Sequence, residues 1–410
     1  MAQPSHQALG YRWVILVVFM AVIIVNQLAW ITFAPITINA ASYYNVSDLS
    51  IGILSMIFMI VYIIVSIPAS WIIDKYGFRV AVGIGGMLTG IFGLSRGLIA
   101  SNYNLVLLSQ IGIAVGQPFI LNAITKVAAR WFPVNERATA AGFGSLAIYL
   151  GIMIGMTLTP FLVLHSGIKA MLMAYGITAL AAGILFIILA REHPKSEPVL
   201  IGQESSSFVF ANIRQTLRQK DFLLLLVIFF IGLGVFNSVT TWIEDILRPR
   251  GFSITQAGIV GGLMVIGGIA GAIIVPPISD RKQRRVPYIL VALVLSSACL
   301  IGITYALSYS ILLVASFVMG FFLLAAAPIG FQYGAEVTDP VPEATSNGLL
   351  LLVGQISGIL FIFGMDYFKV TKTGSMTSSL LILIGLMALS VYLSTRLKES
   401  SIWSVNKSDE

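Results

Sequence analysis

Apolar residues along this chain come in unbroken runs of spanning length, each closed by a short cluster of charged, glycine or proline residues. About 20 apolar residues wound as an α-helix cross the roughly 30 Å hydrocarbon layer of a bilayer. Such runs occupy residues 12–40, 50–73, 79–100, 104–129, 137–164 and 168–190, then 222–247, 256–278, 286–307, 309–333, 344–368 and 376–396. The order is six, a break, and six, which predicts an all-α membrane protein of twelve transmembrane helices in two six-helix bundles. The first bundle takes residues 1–190 and the second, with its tail, residues 221–410. Between them, 191–220 carries Pro194, Pro198, Ser205, Ser206 and Ser207, then Phe210, Ile213 and Leu217 set against Arg214, Arg218 and Lys220. That pattern predicts a cytoplasmic linker ending in a short interfacial helix.

Composition supports the same reading. The chain is 58% hydrophobic and 10% charged with a mean hydropathy of +0.95, against a soluble norm of about 45–50% apolar and about 25% charged. Tyr11 to Ala40 is one long apolar segment with no small-residue cleavage site, so the first run is expected to stay as a helix. The single cysteine, Cys299, lies in an apolar run and rules out a disulfide framework. The net charge of +7 comes from lysines and arginines scattered at the ends of apolar runs, with no aromatic-interleaved patch of the kind nucleic acid requires. With both termini in the cytoplasm, 18 of the 24 lysines and arginines fall on the cytoplasmic side, as the positive-inside bias demands. An inner or plasma membrane is the expected location, and the lipid bilayer and a small-molecule substrate are the expected partners of a monomer.

The halves repeat. Asp74-Lys75 before the third span returns as Asp280-Arg281 before the ninth, an offset of 206 residues, and Ala138-Thr139 with Gly142 returns at the same offset as Ala344-Thr345 with Gly348. Parallel repeats of this kind build transporters with substrate held near the midplane between the halves. The segment Ser70-Trp-Ile-Ile-Asp74-Lys-Tyr-Gly77-Phe-Arg79 resembles the cytoplasmic loop signature of the major facilitator superfamily, with Ser70 in place of that signature's first glycine. The resemblance implies a major facilitator fold and a gating role for Asp74, Gly77 and Arg79, and by the repeat for Asp280 and Arg281. The aspartate is expected at a neighbouring helix N-terminus, paired with Arg79. Glycines crowd the third span (Gly83, Gly85, Gly86, Gly90, Gly93) and the eighth (Gly258, Gly261, Gly262, Gly267, Gly268, Gly271); mobile seams and plain close packing both account for them.

No Asp, Glu, Lys, Arg or His falls near the centre of any expected span, although intramembrane charges are the usual mark of proton relays and ion sites. Arg96, Glu244 and Asp245 near the outer ends, and Lys126 and Arg130 near the inner end of the fourth span, are expected to be interfacial anchors. The remaining mid-span groups are neutral: Asn26, Gln27, Trp30, Gln117, Asn122, Tyr149, Asn237, Gln332, Tyr333 and Gln355. Each amide could bind a ligand or simply bridge helices. Position in the repeat singles out Trp30, matched by Phe236 beside Asn237, and Tyr149, matched by Gln355. A tryptophan face holds a quaternary ammonium by cation–π attraction of roughly 0.5–2 kcal/mol, with no carboxylate needed.

Further stretches look like one family of that superfamily, the feline leukaemia virus subgroup C receptor family of haem and choline transporters. They are Leu54-Ser55-Met56 with Tyr62, Pro68-Ala69-Ser70-Trp71, Gln110 with Gln117, Phe119-Ile120-Leu121, Trp131-Phe132, and Glu343-Ala-Thr-Ser-Asn-Gly348 with Gln355. The resemblance implies that Trp30 and Gln355 form part of an amine-binding cavity, while Asn237 and Tyr149 stand where the family has tyrosine and glutamine. The expected function is a facilitator of a small organic solute, a choline-like amine, working by alternating access. The rival is an exporter of haem or another carboxylated metabolite that uses Arg96, Lys126 or Arg130. A proton-linked organic-anion or drug transporter fits less well, because the fourth span lacks the superfamily's arginine and the fifth its Gly-Pro motif. A receptor or scaffold is the reading from another class. With His6, His165 and His193 the only histidines, and no phosphate-cradling loop or metal-spaced cluster, neither an enzyme nor a cofactor is expected.

Overall fold

A computed structural model describes residues 6–133, 136–193, 214–341, 343–370 and 372–399. Among them the chain is helical throughout, with no strand. Lipid offers the backbone no hydrogen bonds, so a run of apolar residues closes its own N–H to C=O ladder. The chain divides into two units, Met1–Gly202 and Gln203–Glu410. The expected linker, with its interfacial helix, lies largely outside the described residues.

The first unit runs through α1 (His6–Ile31), a 3₁₀ turn (Ala34–Ile36), α2 (Thr37–Tyr44), α3 (Asp48–Tyr76), α4 (Phe78–Leu98), α5 (Tyr103–Leu121), α6 (Ile124–Trp131) and α7 (Arg137–Leu189). The long α7 carries two of the expected spans, because at Gly167 the backbone leaves the helix with φ 77° and ψ 169°, a conformation that an L side chain rarely adopts. The second unit contains α8 (Lys220–Thr241), α9 (Ile243–Leu247), a 3₁₀ turn (Arg248–Arg250), α10 (Ile254–Lys282), α11 (Val286–Tyr305), α12 (Tyr309–Thr338), α13 (Glu343–Tyr367) and α14 (Thr377–Ser394). With α7 counted as two, the described helices supply the twelve expected spans.

Both glycine-rich spans are packing seams. Gly86, Gly90 and Gly93 of α4 lie on Gly183, Leu180 and Gly176 of α7, so a Cβ at Gly90 would sit 2.5 Å from the Leu180 Cα. In the second unit Gly267 and Gly271 of α10 lie against the carbonyls of Phe317 and Phe321 in α12, and Gly320 of α12 lies against Met264 of α10. Lipid tails are as apolar as the helices themselves, so this close approach of backbones replaces the hydrophobic effect as the source of packing energy. Helix starts are marked by side-chain caps: the Ser47 hydroxyl accepts from Ser50 N at 3.2 Å, and Ser253 and Gln256 form a reciprocal capping box.

Candidate functional site

Each unit builds the loop that carries its signature with the same device. α3 ends at Gly77, whose φ of 86° favours glycine, and α4 starts at once with Phe78 and Arg79. Their N–H groups donate to the Glu192 carboxylate, at 3.2 Å to Oε1 and 2.8 Å to Oε2. A carboxylate there satisfies two of the orphan donors at a helix N-terminus and meets the positive end of the helix dipole. A Cβ on Gly77 would run into that carboxylate. In the second unit Arg285 N and Val286 N, at the start of α11, donate to the Glu399 carboxylate at 3.0 and 3.1 Å. The residue pairs 78 and 285, 79 and 286, and 192 and 399 share one offset of 207 residues.

The expected partners of the loop signature need correcting. The carboxylate at the N-terminus of α4 belongs to Glu192, not to Asp74. Asp74 pairs with Lys126 of α6 at 2.9 Å, and the Arg79 guanidinium donates to the Ile187 carbonyl at 3.4 Å. The reason is spatial: Asp74 lies in the last turn of α3, so a carboxylate arriving from the end of α7 takes the N–H groups. In the second unit Asp280 pairs with Arg285, which also reaches Glu336 of α12 at 3.0 Å, while Arg281 is exposed. Burial by itself would lower the Arg285 pKa, but the hydrogen bonds and charges of Asp280 and Glu336 outweigh burial and raise it above the ordinary arginine value.

The polar residues within the spans fall into two groups. Some have spent their hydrogen bonds inside the bundle. Asn26 donates to Thr89 Oγ1 at 3.0 Å and to the Ile113 carbonyl at 3.5 Å, and accepts from Gln27 at 3.2 Å. Asn122 accepts from the Tyr62 hydroxyl at 2.7 Å and donates to Ser66 and Ser70, which ties α3 to the end of α5. Gln332 donates to Glu336, and the buried Tyr333 donates to the Lys398 carbonyl. The Trp30 indole N–H donates to the Ser55 carbonyl at 3.2 Å, which fixes the ring plane of a buried side chain.

The other group is uncommitted. Gln117 on α5 and the half-buried Tyr149 on α7 and Gln355 on α13 have no hydrogen-bond partner among the described residues. Tyr149 and Gln355 are also the pair related by the 206-residue repeat. Asn237 is nearly as free: its side chain makes one hydrogen bond among the described residues, a long 3.4 Å donation to the carbonyl of Gly354, the residue before Gln355, which brings these two predicted site residues together. Phe236 is buried beside Asn237. Helix α7 approaches α1 through Gly151, where a Cβ would stand 2.7 Å from the Gln27 Cβ, so Tyr149 lies near the seam that faces the Trp30 helix.

Three charged residues near the expected outer ends are enclosed in the bundle rather than set at an interface. Arg96 is fully buried, and Glu244 and Asp245 are nearly so. Asp245 is held by Lys369 at 2.8 Å and Arg248 at 2.9 Å, since charges that leave water need partners. Near the inner end, Arg130 Nη1 lies 3.3 Å from His193 Nδ1. Hydropathy alone does not reveal these pairings. In the sequence, Glu192 and Glu399 align across the repeat once the offset grows by one residue, from 206 to 207.

This chain matches the model of the Major Facilitator Superfamily over residues 18–362. The chain belongs to the major facilitator superfamily. It is 30% identical over 381 residues to zebrafish (Danio rerio) "Solute carrier family 49 member A3", an alignment covering 90% of this chain and 80% of the relative. It is also 30% identical over 410 residues to zebrafish "Choline/ethanolamine transporter flvcr2b", covering 93% and 84%. Its fold matches the crystal structure of a bacterial homolog to the human lysosomal transporter Spinster, in an inward-facing and unoccupied conformation. That match has a TM-score of 0.74 at 15% identity and covers 94% of this chain and 98% of the other. This protein is therefore a transporter and not an enzyme, and it resembles the choline/ethanolamine transporters without sharing most of their sequence.

Proposed function

We propose that this transporter carries a small organic amine of the choline and ethanolamine class by alternating access. The observation that carries the reading is the neutral character of the uncommitted groups on the spans. Gln117, Tyr149 and Gln355 retain unused hydrogen-bonding capacity, and Trp30 and Phe236 supply aromatic faces on α1 and α8. An ammonium ion is held by aromatic faces and amide or hydroxyl oxygens without a counter-carboxylate, at roughly 0.5–2 kcal/mol for a cation–π contact. The relative named as a choline/ethanolamine transporter supports the same class.

A carboxylated cargo would need cations, and none of the three candidates is open to it: Lys126 pairs with Asp74, Arg130 lies against His193, and Arg96 is fully enclosed. The test is uptake of radiolabelled choline and ethanolamine into proteoliposomes holding the purified protein. Saturable uptake that falls at least tenfold in Trp30→Ala and in Gln355→Ala is the expected result. Failure of both amines to enter, with uptake of a carboxylated solute instead, would overturn the reading. An inner or plasma membrane with both termini cytoplasmic, Asp74, Gly77, Arg79, Asp280 and Arg281 at the gates, and a functional monomer complete the proposal.

A further inference from the structure

Arg96 in the last turn of α4 is fully buried, and no carboxylate pairs with it among the described residues. Its Nη1 is spent, donating to Gln110 Oε1 at 2.6 Å and to the Ala29 carbonyl at 3.2 Å. Ala29 lies two residues before the end of α1, so that carbonyl is one of the orphan acceptors at a helix C-terminus. The negative end of the α1 dipole offsets about half a charge at best. The Phe33 ring, 5.5 Å from the guanidinium carbon, contributes a cation–π contact. Nε and Nη2 nonetheless have no partner, although both are buried.

A second orphan lies close by. The Tyr44 hydroxyl is buried without a hydrogen-bond partner. Its ring packs edge-on against Phe33 with centroids 6.5 Å apart, on the same ring that the Arg96 guanidinium meets. Arg96 Nε and Nη2 and the Tyr44 hydroxyl are thus three buried donors without a partner among the described residues, on two side chains that both lie against the Phe33 ring. A buried cation with unused donors is a costly arrangement unless an anion completes it.

We propose that Arg96 Nε and Nη2 and the Tyr44 hydroxyl bind a small monovalent anion of halide size, chloride in practice, inside the outer end of the first unit. The enclosure of Arg96 excludes a large carboxylated solute or a lipid headgroup, so the anion is a resident of the fold and not the cargo. This site is independent of the amine reading.

The test is thermal unfolding of the full-length protein, followed by intrinsic fluorescence, as chloride replaces gluconate at constant ionic strength. A saturable rise in Tm is expected from mass action on the folded state. Arg96→Gln is expected to lose the chloride-dependent shift, and Tyr44→Phe to weaken the apparent chloride affinity about five-fold, as the loss of one hydrogen bond implies. Bromide should substitute for chloride. Equal melting in chloride and gluconate would overturn the proposal, as would a chloride shift that survives Arg96→Gln. If Arg96→Gln cannot be purified folded, Tyr44→Phe decides, and an unchanged chloride affinity in that variant overturns the site.

Discussion

Asn122 and Gln355 are both amides within apolar spans, but Asn122 has spent its hydrogen bonds on Tyr62, Ser66 and Ser70 while Gln355 has no partner among the described residues. Substitution should therefore separate them. Asn122→Ala strands the Tyr62 hydroxyl and is expected to lower Tm by several degrees, with amine uptake reduced in proportion to folded protein; interhelical hydrogen bonds average about 0.6 kcal/mol each. Gln355→Ala should leave Tm unchanged and reduce uptake at least tenfold, measured on the same preparation. Gly77 offers a second residue-scale test. Gly77→Ala must adopt a positive φ, at about 1–2 kcal/mol, and must also displace the Glu192 carboxylate. It should destabilise more than Glu192→Ala, by thermal unfolding, because Glu192→Ala removes the cap without straining the turn.

At the scale of elements, two features hold the helices in place: backbone-close seams and carboxylate caps. The α10–α12 seam has the phenylalanine carbonyls of α12 against Gly267 and Gly271, so even one large side chain forces the helices apart. Gly271→Leu is expected to abolish recovery of monodisperse protein by size-exclusion chromatography, whereas Gly385→Leu, at a glycine with no neighbour in reach, should be tolerated. The caps by Glu192 and Glu399 belong to different units and share no partner. Their alanine variants should each cost about 1–2 kcal/mol and add in the double variant, as read by thermal unfolding. These element-level features were partly legible. The glycine runs announced the seams, but not which helix each would meet, because α4 lies on a part of α7 about 90 residues further along the chain. The caps were missed because Glu192 and Glu399 sit at the ends of spans, where a charged residue is ordinary in sequence.

For the whole molecule, the positive-inside bias makes a topological prediction. In a Cys299→Ala background, cysteines at Ser101 and Ser308, both exposed in turns expected outside, should react with a membrane-impermeant maleimide on intact cells. Cysteines at Tyr76 and Gln283, exposed in the loops expected inside, should react only after permeabilisation. The reverse pattern would invert the assigned orientation.

Hydropathy runs and repeat offsets determined the helical class, the twelve spans, the two units and the paired loops. Each follows from a local rule: a backbone in lipid must satisfy itself, and a repeated unit repeats its signals. Which polar groups remain free was decided by tertiary structure alone. Asn122 and Gln355 look alike in sequence, as do Arg96 and an interfacial anchor, and only the neighbours brought by distant helices distinguish a spent amide from an open one and an anchor from an enclosed cation. Partner choice depends on distances of a few ångströms between residues tens of positions apart. A one-dimensional hydropathy pattern carries no record of those distances.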